Sequence, residues 1–234
     1  MVYCCSLPLL RYLAAESLPG LLWEKLLKTC LALLLMLGWV SAQSFAALTV
    51  TPLGEQNFDL STGITTLPEG GEVIDKETGL ELSAGFIRYE EGGFIEAESA
   101  QVVGEFGALS ASTLFVDAKA QRISASGGVE LSYNDLALAS DALEIYLEPD
   151  VVVLEGGVTS ETPDFDSERV LIYLKTEQAL LVSPYIYVNG PLSLRQAGAD
   201  KLLQITPQNG TSYSASSTVD EALVGALAPY LERP

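Results

Sequence analysis

The sequence predicts an all-β fold. Three observations carry that prediction. Apolar side chains alternate with polar ones at a period of two through much of the chain after residue 80. A unit recurs along the same stretch at an interval of about 28 residues, which marks a repeated supersecondary element. Helical signal is nearly absent before residue 218. A period of two places every second side chain on one face of a pleated strand.

Residues 1–42 come first, and they read as a signal peptide or a membrane anchor. Lys25 and Lys28 flank the apolar run from Thr29 to Val40. Val40-Ser-Ala42 then supplies small residues at signal-peptidase spacing, with Ser44-Phe-Ala46 as a second candidate. The stretch from Thr29 to Ala47 carries no charge, and its length is close to the ~20 residues that a spanning helix needs. The segment 1–24 forms a longer n-region than usual, which points to a true start codon further along.

The 48–217 segment is expected to hold the β domain. Residues 48–71 are less regular and read as one strand plus a loop. From Leu80 the alternation sets in. Leu136 and Leu138 alternate with Ala137 and Ala139. Leu143, Ile145 and Leu147 alternate with Ala142, Glu144 and Tyr146. Val170, Ile172 and Leu174 alternate with Arg169, Leu171 and Tyr173. The repeat aligns residues 108–129 over 137–158, so that Leu109, Leu114, Val116 and Ile123 meet Leu138, Leu143, Ile145 and Val152. A third copy brings Ile172-Tyr-Leu174 under Ile145-Tyr-Leu147. Both of the first two copies end in Gly-Gly-Val, at Gly127-Gly-Val129 and Gly156-Gly-Val158. Such a pair marks a bend or bulge where a strand turns a corner. Each unit should therefore contain two or three short strands, separated by the Gly-Gly pairs and by turns such as Tyr133-Asn-Asp135, Glu148-Pro-Asp150 and Thr162-Pro-Asp164. Strand pairs of this kind stack as a solenoid, a long twisted jelly roll or a meander.

Residues 197–217, rich in Gly, Ser, Asn and Gln, read as loops. The last element, within 218–234, is a short helix. Thr218-Val-Asp-Glu221 has capping-box spacing ahead of Ala222–Ala228, and Pro229 should end it. Its expected role is to cap or cover the open end of the sheet.

Composition narrows the chemistry. With 48% hydrophobic and 18% charged residues, the chain can fill a core. The net charge is −19. Removing a leader ending at Ala42 takes three of 12 basic and two of 31 acidic residues, leaving 9 and 29, or −20. That balance argues against nucleic acid, whose phosphates need Lys and Arg. All three cysteines precede residue 31 and histidine is absent. Triads built on His, thiolate nucleophiles and ordinary zinc sites are therefore excluded from the β domain. No phosphate-binding or dinucleotide fingerprint is present. No catalytic residue, metal ligand or cofactor is expected. Acidic stretches such as Glu96-x-Glu98 and the 162–168 turn read as solvated faces.

The inward aliphatics form the candidate site. Packed tightly they are a sandwich core; spaced apart they line an apolar channel. Residues 139–158, with Ala139-Ser-Asp-Ala-Leu-Glu-Ile-Tyr and then Val152-Val-Leu-Glu-Gly-Gly-Val158, resemble the repeating unit of the OstA-like domain. That domain belongs to periplasmic lipopolysaccharide-transport proteins of the LptA and LptC type. The echoes at 112–129 and 167–182 fit the same unit. The family usually has Gly-Asn or Gly-Asp where this chain has Gly-Gly. The resemblance implies an elongated, twisted β-jelly roll that holds acyl chains. Carried onto this chain, the lipid-facing positions are Leu114, Val116, Ile123, Val129, Leu143, Ile145, Leu147, Val152, Leu154, Ile172 and Leu174. It also implies a periplasmic or envelope location, free or tethered to the inner membrane. The implied partners are lipid or lipopolysaccharide acyl chains and other OstA-like proteins joined by edge-strand pairing, a homo-oligomer being one form of it. The alternative is a structural β-repeat scaffold of the envelope with a dry core.

Overall fold

Sixteen strands hydrogen-bond into a single antiparallel sheet in the computed structural model, which describes residues 48–76, 78–199, 201–208 and 212–231. The expected leader or anchor at 1–42 lies outside the described residues. The strands are β1 (Leu48–Pro52), β2 (Asn57–Asp59), β3 (Ile64–Leu67), β4 (Gly71–Asp75), β5 (Leu80–Ala84) and β6 (Phe86–Glu90). Seven long strands follow: β7 (Phe94–Gly104), β8 (Gly107–Asp117), β9 (Arg122–Tyr133), β10 (Leu136–Tyr146), β11 (Val151–Glu161), β12 (Asp164–Tyr173) and β13 (Gln178–Asn189). The chain continues through β14 (Leu192–Gln196), β15 (Leu202–Pro207), β16 (Tyr213–Ser216) and one helix, α1 (Glu221–Leu231). The fold is all-β with a short C-terminal helix, as the alternation predicts.

Each repeated unit is a pair of long strands rather than two or three short ones. Successive units start at Gly107, Leu136 and Asp164. The sequence predicts that the Gly-Gly pairs separate strands; instead they lie inside β9 and β11. There they form bulges, because the pairing register shifts at each one. Ser140 pairs with Val129 and Ala142 with Ser126, so Gly127 and Gly128 oppose Asp141 alone. The same happens where Glu155 pairs with Arg169 and Val158 with Ser167. All four glycines have φ between +62° and +81°, a region that L side chains avoid.

The bulges line up into one crease across the sheet. Ser99, with φ +51°, marks it on β7. Register shifts mark it between Ser110 and Thr113 on β8, and between Ser167 and Arg169 on β12. Serines mend the hydrogen bonds lost there. Ser112 Oγ donates to Gly127 O at 2.6 Å. Ser167 Oγ lies 2.9 Å from both Arg169 O and Val182 O. Ser140 Oγ reaches Ala142 O at 3.1 Å. A buried carbonyl left unpaired is costly, so these contacts let the sheet fold over at small expense.

The crease divides the sheet into two leaves. At its ends the partition is explicit. One half of β7 pairs with β6 and the other with β5. One half of β13 pairs with β15 and the other with β14. Leaf A thus runs β2-β3-β6, the halves of β7–β13 that include Leu114, Ile145 and Ile172, then β15-β16. Leaf B runs β1-β4-β5, the halves that include Leu109, Leu131 and Phe165, then β14. At ~4.8 Å per strand each leaf is roughly 50 Å long, against about 16 Å for five residues across it. The unclosed, twisted sheet is therefore elongated along its hydrogen-bonding direction, in the β-jelly-roll arrangement.

Crossing the crease costs a residue on β8, β10 and β12, and the inward phase switches there. On β10 it passes from Leu136 and Leu138 to Leu143 and Ile145. On β9 and β11 the extra glycine restores the phase, so Ile123 and Val129 both face inward, as do Val152 and Val158. Residues from both leaves then meet in one apolar cluster.

Several segments differ from the sequence expectation. Residues 48–67 hold three strands, and 197–217 hold β15 and β16 in place of the expected loops. Short edge strands with few apolar residues carry little periodic signal. The helix cap is Asp220, not Thr218: Asp220 Oδ1 accepts from Ala222 N at 2.9 Å. The helix also continues through Pro229 to Leu231. Pro229 sits in the last turn, where it removes one bond rather than a run of them. Tyr230 packs against Tyr146 with the rings tilted at 50° and centroids 4.6 Å apart, and holds that turn down. Finally, α1 covers the outer face of leaf A rather than an open end. Leu223 and Leu227 bury against Val151, Val153, Leu171 and Leu180. Leu171, expected to face outward beside Val170 and Ile172, is consequently fully buried.

Candidate apolar interior and its seam

The candidate site grows out of that inward phase. Leu114, Val116, Ile123, Leu143, Ile145, Val152, Leu154 and Ile172 line leaf A, and Val129 lies on leaf B just past the crease. All nine belong to the one cluster that fills the space between the leaves, and none is more than 2% exposed. The interior is packed: any channel wide enough to admit water would leave exposed surface on its lining. Leu147 and Leu174 stand apart from these nine. Each falls one residue past the end of its strand, β10 or β12, and is partly buried at the free margin of leaf A.

The two free margins meet there as a seam. Leaf B contributes buried Phe106, Tyr133 and Leu136, and leaf A contributes Ala118, Leu147 and Leu174. Tyr133 Oη donates across it to Leu174 O at 3.2 Å. Nearer the C-terminal end, Asn189 Nδ2 donates to Tyr213 O at 3.2 Å, joining β13 of leaf B to β16 of leaf A. Beside these bonds the seam opens into a polar cleft of about 480 Å3, lined by Tyr133, Asn134, Asp135, Glu177, Gln208 and Tyr213 among others. Burial raises the phenol pKa of both tyrosines. The Glu177 charge adds to it at Tyr133, and the charges of Asp135 and Glu177 add to it at Tyr213.

A second concavity, about 360 Å3, lies on the bare outer face of leaf A. Glu96, Glu98, Thr113, Phe115, Ser124 and Glu144 line it. Arg122 pairs with Glu144 at 3.6 Å, and Arg88 with Glu96 at 3.1 Å. The acidic 162–168 stretch lies mostly within β12, where Asp164, Asp166 and Glu168 share its exposed outer face. Among the described residues no three His, Cys, Asp or Glu side chains converge as a metal site requires.

The alternation identifies the interior but not the seam residues. Tyr133-Asn-Asp135 is legible as a turn. Nothing in its spelling marks Glu177 or Tyr213 as neighbours, since both lie far downstream, Glu177 in the β12–β13 turn and Tyr213 on β16.

The fold and site together define an unclosed, all-antiparallel β-jelly roll with an apolar interior and a polar cleft at its seam. Among solved structures, that of LptH from Pseudomonas aeruginosa is similar. It is described as the LptA-homologous periplasmic component of the conserved lipopolysaccharide transport device. The match has a TM-score of 0.45 and 8% identity, and it covers 49% of this chain and 86% of that one. No protein-family model and no curated protein matches the chain. Among the described residues no helix is long and apolar enough to cross a membrane.

Proposed function

We propose that this chain is a non-enzymatic, exported lipid carrier or bridge of the cell envelope. Acyl chains would lie between the leaves against Leu114, Val116, Ile123, Val129, Leu143, Ile145, Val152, Leu154 and Ile172. They would enter past Leu147 and Leu174 at the seam. The observation that carries this reading is a continuous apolar cluster between two leaves hinged at a glycine-rich crease and latched at the seam by Tyr133 and Asn189. Because the inward side chains are already packed, carriage requires the leaves to part. The crease supplies the hinge, and the seam is held there by hydrogen bonds rather than by a continuous ladder. The likeness of residues 139–158 to the OstA-like unit supports the same reading, with lipopolysaccharide-type acyl chains as cargo and the periplasm as location. Partners would pair with the edge strands β1, β2, β14 and β16, since exposed edges accept a further strand.

One observation favours a second reading. Nine inward residues at no more than 2% exposure are what a dry scaffold core would show. A photo-crosslinking residue at Ile145 and at Leu174, irradiated in cells, separates the two. A carrier gives lipid adducts at both positions. Adducts at neither, with native mass spectrometry of the envelope-purified protein reporting no bound lipid, would leave the scaffold.

A further inference from the structure

We infer that the cleft at the C-terminal end of the seam is a head-group site for an uncharged, hydroxyl-rich group, so that the lipid carried presents a sugar rather than a phosphate to the cleft. This rests on the carrier reading and adds the identity of the head group to it.

The cleft joins the two free margins. Tyr133, Asn134 and Asp135 come from the β9–β10 turn of leaf B. Glu177 comes from the β12–β13 turn of leaf A, and Gln208 and Tyr213 flank the β15–β16 connection. Its volume of about 480 Å3 lies in the range of small-molecule sites. The wall is fixed: Tyr133 is tied to Leu174 O, Gln208 Nε2 donates to Ser214 Oγ at 3.0 Å, and Asn134 holds the turn at φ +51°.

The lining specifies the ligand by what it offers. Two carboxylates accept hydrogen bonds from hydroxyl groups. Two amides both donate and accept. The half-buried ring of Tyr213 adds apolar surface for the C–H face of a sugar ring, while Tyr133 is buried in the core cluster. Among the described residues no Lys or Arg lines the cleft, so a phosphate would meet Asp135 and Glu177 without a counter-charge from them. Tyr133 also belongs to the core cluster, and Tyr213 packs against it. A head group held here therefore passes its acyl chain directly to the inward face.

The test uses the full-length protein and two detergents with the same chain, dodecyl β-glucoside and dodecyl phosphate, each below its micellar concentration. Affinities are read by titration calorimetry. The expected result is a preference for the glucoside. That preference falls about tenfold in an Asp135→Asn, Glu177→Gln variant, as losing a charge-assisted hydrogen bond implies. Both positions are exposed, so the melting temperature should hold. An Asp164→Asn, Asp166→Asn control removes the same charge from the remote face of β12 and should bind like the wild type. Equal affinity for the two detergents overturns the head-group site and leaves the carrier standing. A variant that binds the glucoside as well as the control does also overturns it. No binding of either detergent overturns both.

Discussion

The outer face of leaf A has two halves that differ in almost everything except backbone. Over β7–β10 it is bare: Glu96, Glu98, Thr113, Phe115 and Glu144 face solvent around a shallow concavity. Over β11–β13 it is covered, because Val151, Val153, Leu171 and Leu180 lie under α1. Both halves share the same inner surface and the same crease. The difference shows in the spelling of the strands. On the bare half, apolar residues alternate, as in Leu143-Glu-Ile145. On the covered half they run together, as in Val151-Val-Val-Leu154 and Val170-Leu-Ile172. A strand buried on one face alternates, and a strand buried on both cannot.

The largest test of that contrast is Leu227→Ala in α1, where the side chain is fully buried. It should cost about 2–5 kcal/mol, while Thr113→Ala on the bare half should stay within about 0.5 kcal/mol. Urea unfolding midpoints compare the two. Equal losses would mean that the helix is not anchored on leaf A.

Next comes Arg169, 6% exposed. Its Nε lies 2.8 Å from Glu155 Oε1 but off the N–H axis, so that contact is ionic rather than hydrogen-bonded. Its Nη1 donates to Leu231 O at 3.3 Å, pinning the helix C-terminus where a cation is favoured. Removing one member of a buried pair costs about 3–5 kcal/mol. Glu155 is 44% exposed here and can rehydrate, so Arg169→Ala should cost about 1–3 kcal/mol by the same reasoning. Loss of the α1 contribution to the circular dichroism spectrum before global unfolding would locate the effect at the helix.

The crease should be indifferent to the helix. A Cβ at Gly127 would sit 2.9 Å from Ser112 Cβ, and one at Gly156 would sit 2.7 Å from Asp141 Cβ. Gly128 and Gly157 have open space around them. Gly128→Ala and Gly157→Ala should each cost about 1–2 kcal/mol for the left-handed backbone alone. Gly127→Ala and Gly156→Ala should cost more, by similar amounts on the bare and covered halves. Thermal melts of the four variants decide it.

The smallest effect is a pH dependence. Burial first, and then the hydrogen bond to Glu144 and its charge, push Tyr146 up to about 12. The folded state therefore keeps this proton between pH 10 and about 12, while the unfolded chain releases it. Stability is full below pH 10 and declines across that window. Melting temperatures of the wild type and Tyr146→Phe should converge as pH rises. A parallel decline in both would assign the loss to other groups.

Much of this architecture is legible in the sequence, for identifiable reasons. Alternation at Leu136–Ala139 and Leu143–Tyr146 marks the strands and their inward faces. The paired glycines mark a bulge, because only Gly occupies that backbone cheaply. What stays hidden depends on long-range neighbours. The same Gly-Gly spelling fits a strand end or a bulge inside a strand, and the pairing with β10 and β12 decides between them. Leu171 faces outward as its phase predicts, but its cover comes from Leu223 and Leu227. The cleft is the least legible part, since its tyrosines and carboxylates meet only after the sheet has folded over.

The two-strand unit has a further consequence. A second copy of the segment 107–135, inserted ahead of Leu136, would bring its own bulge and its own inward phase. It would lengthen the molecule by about 10 Å and leave its cross-section unchanged. Reach is therefore a modular quantity in this architecture, adjustable by gene duplication without redesigning either end.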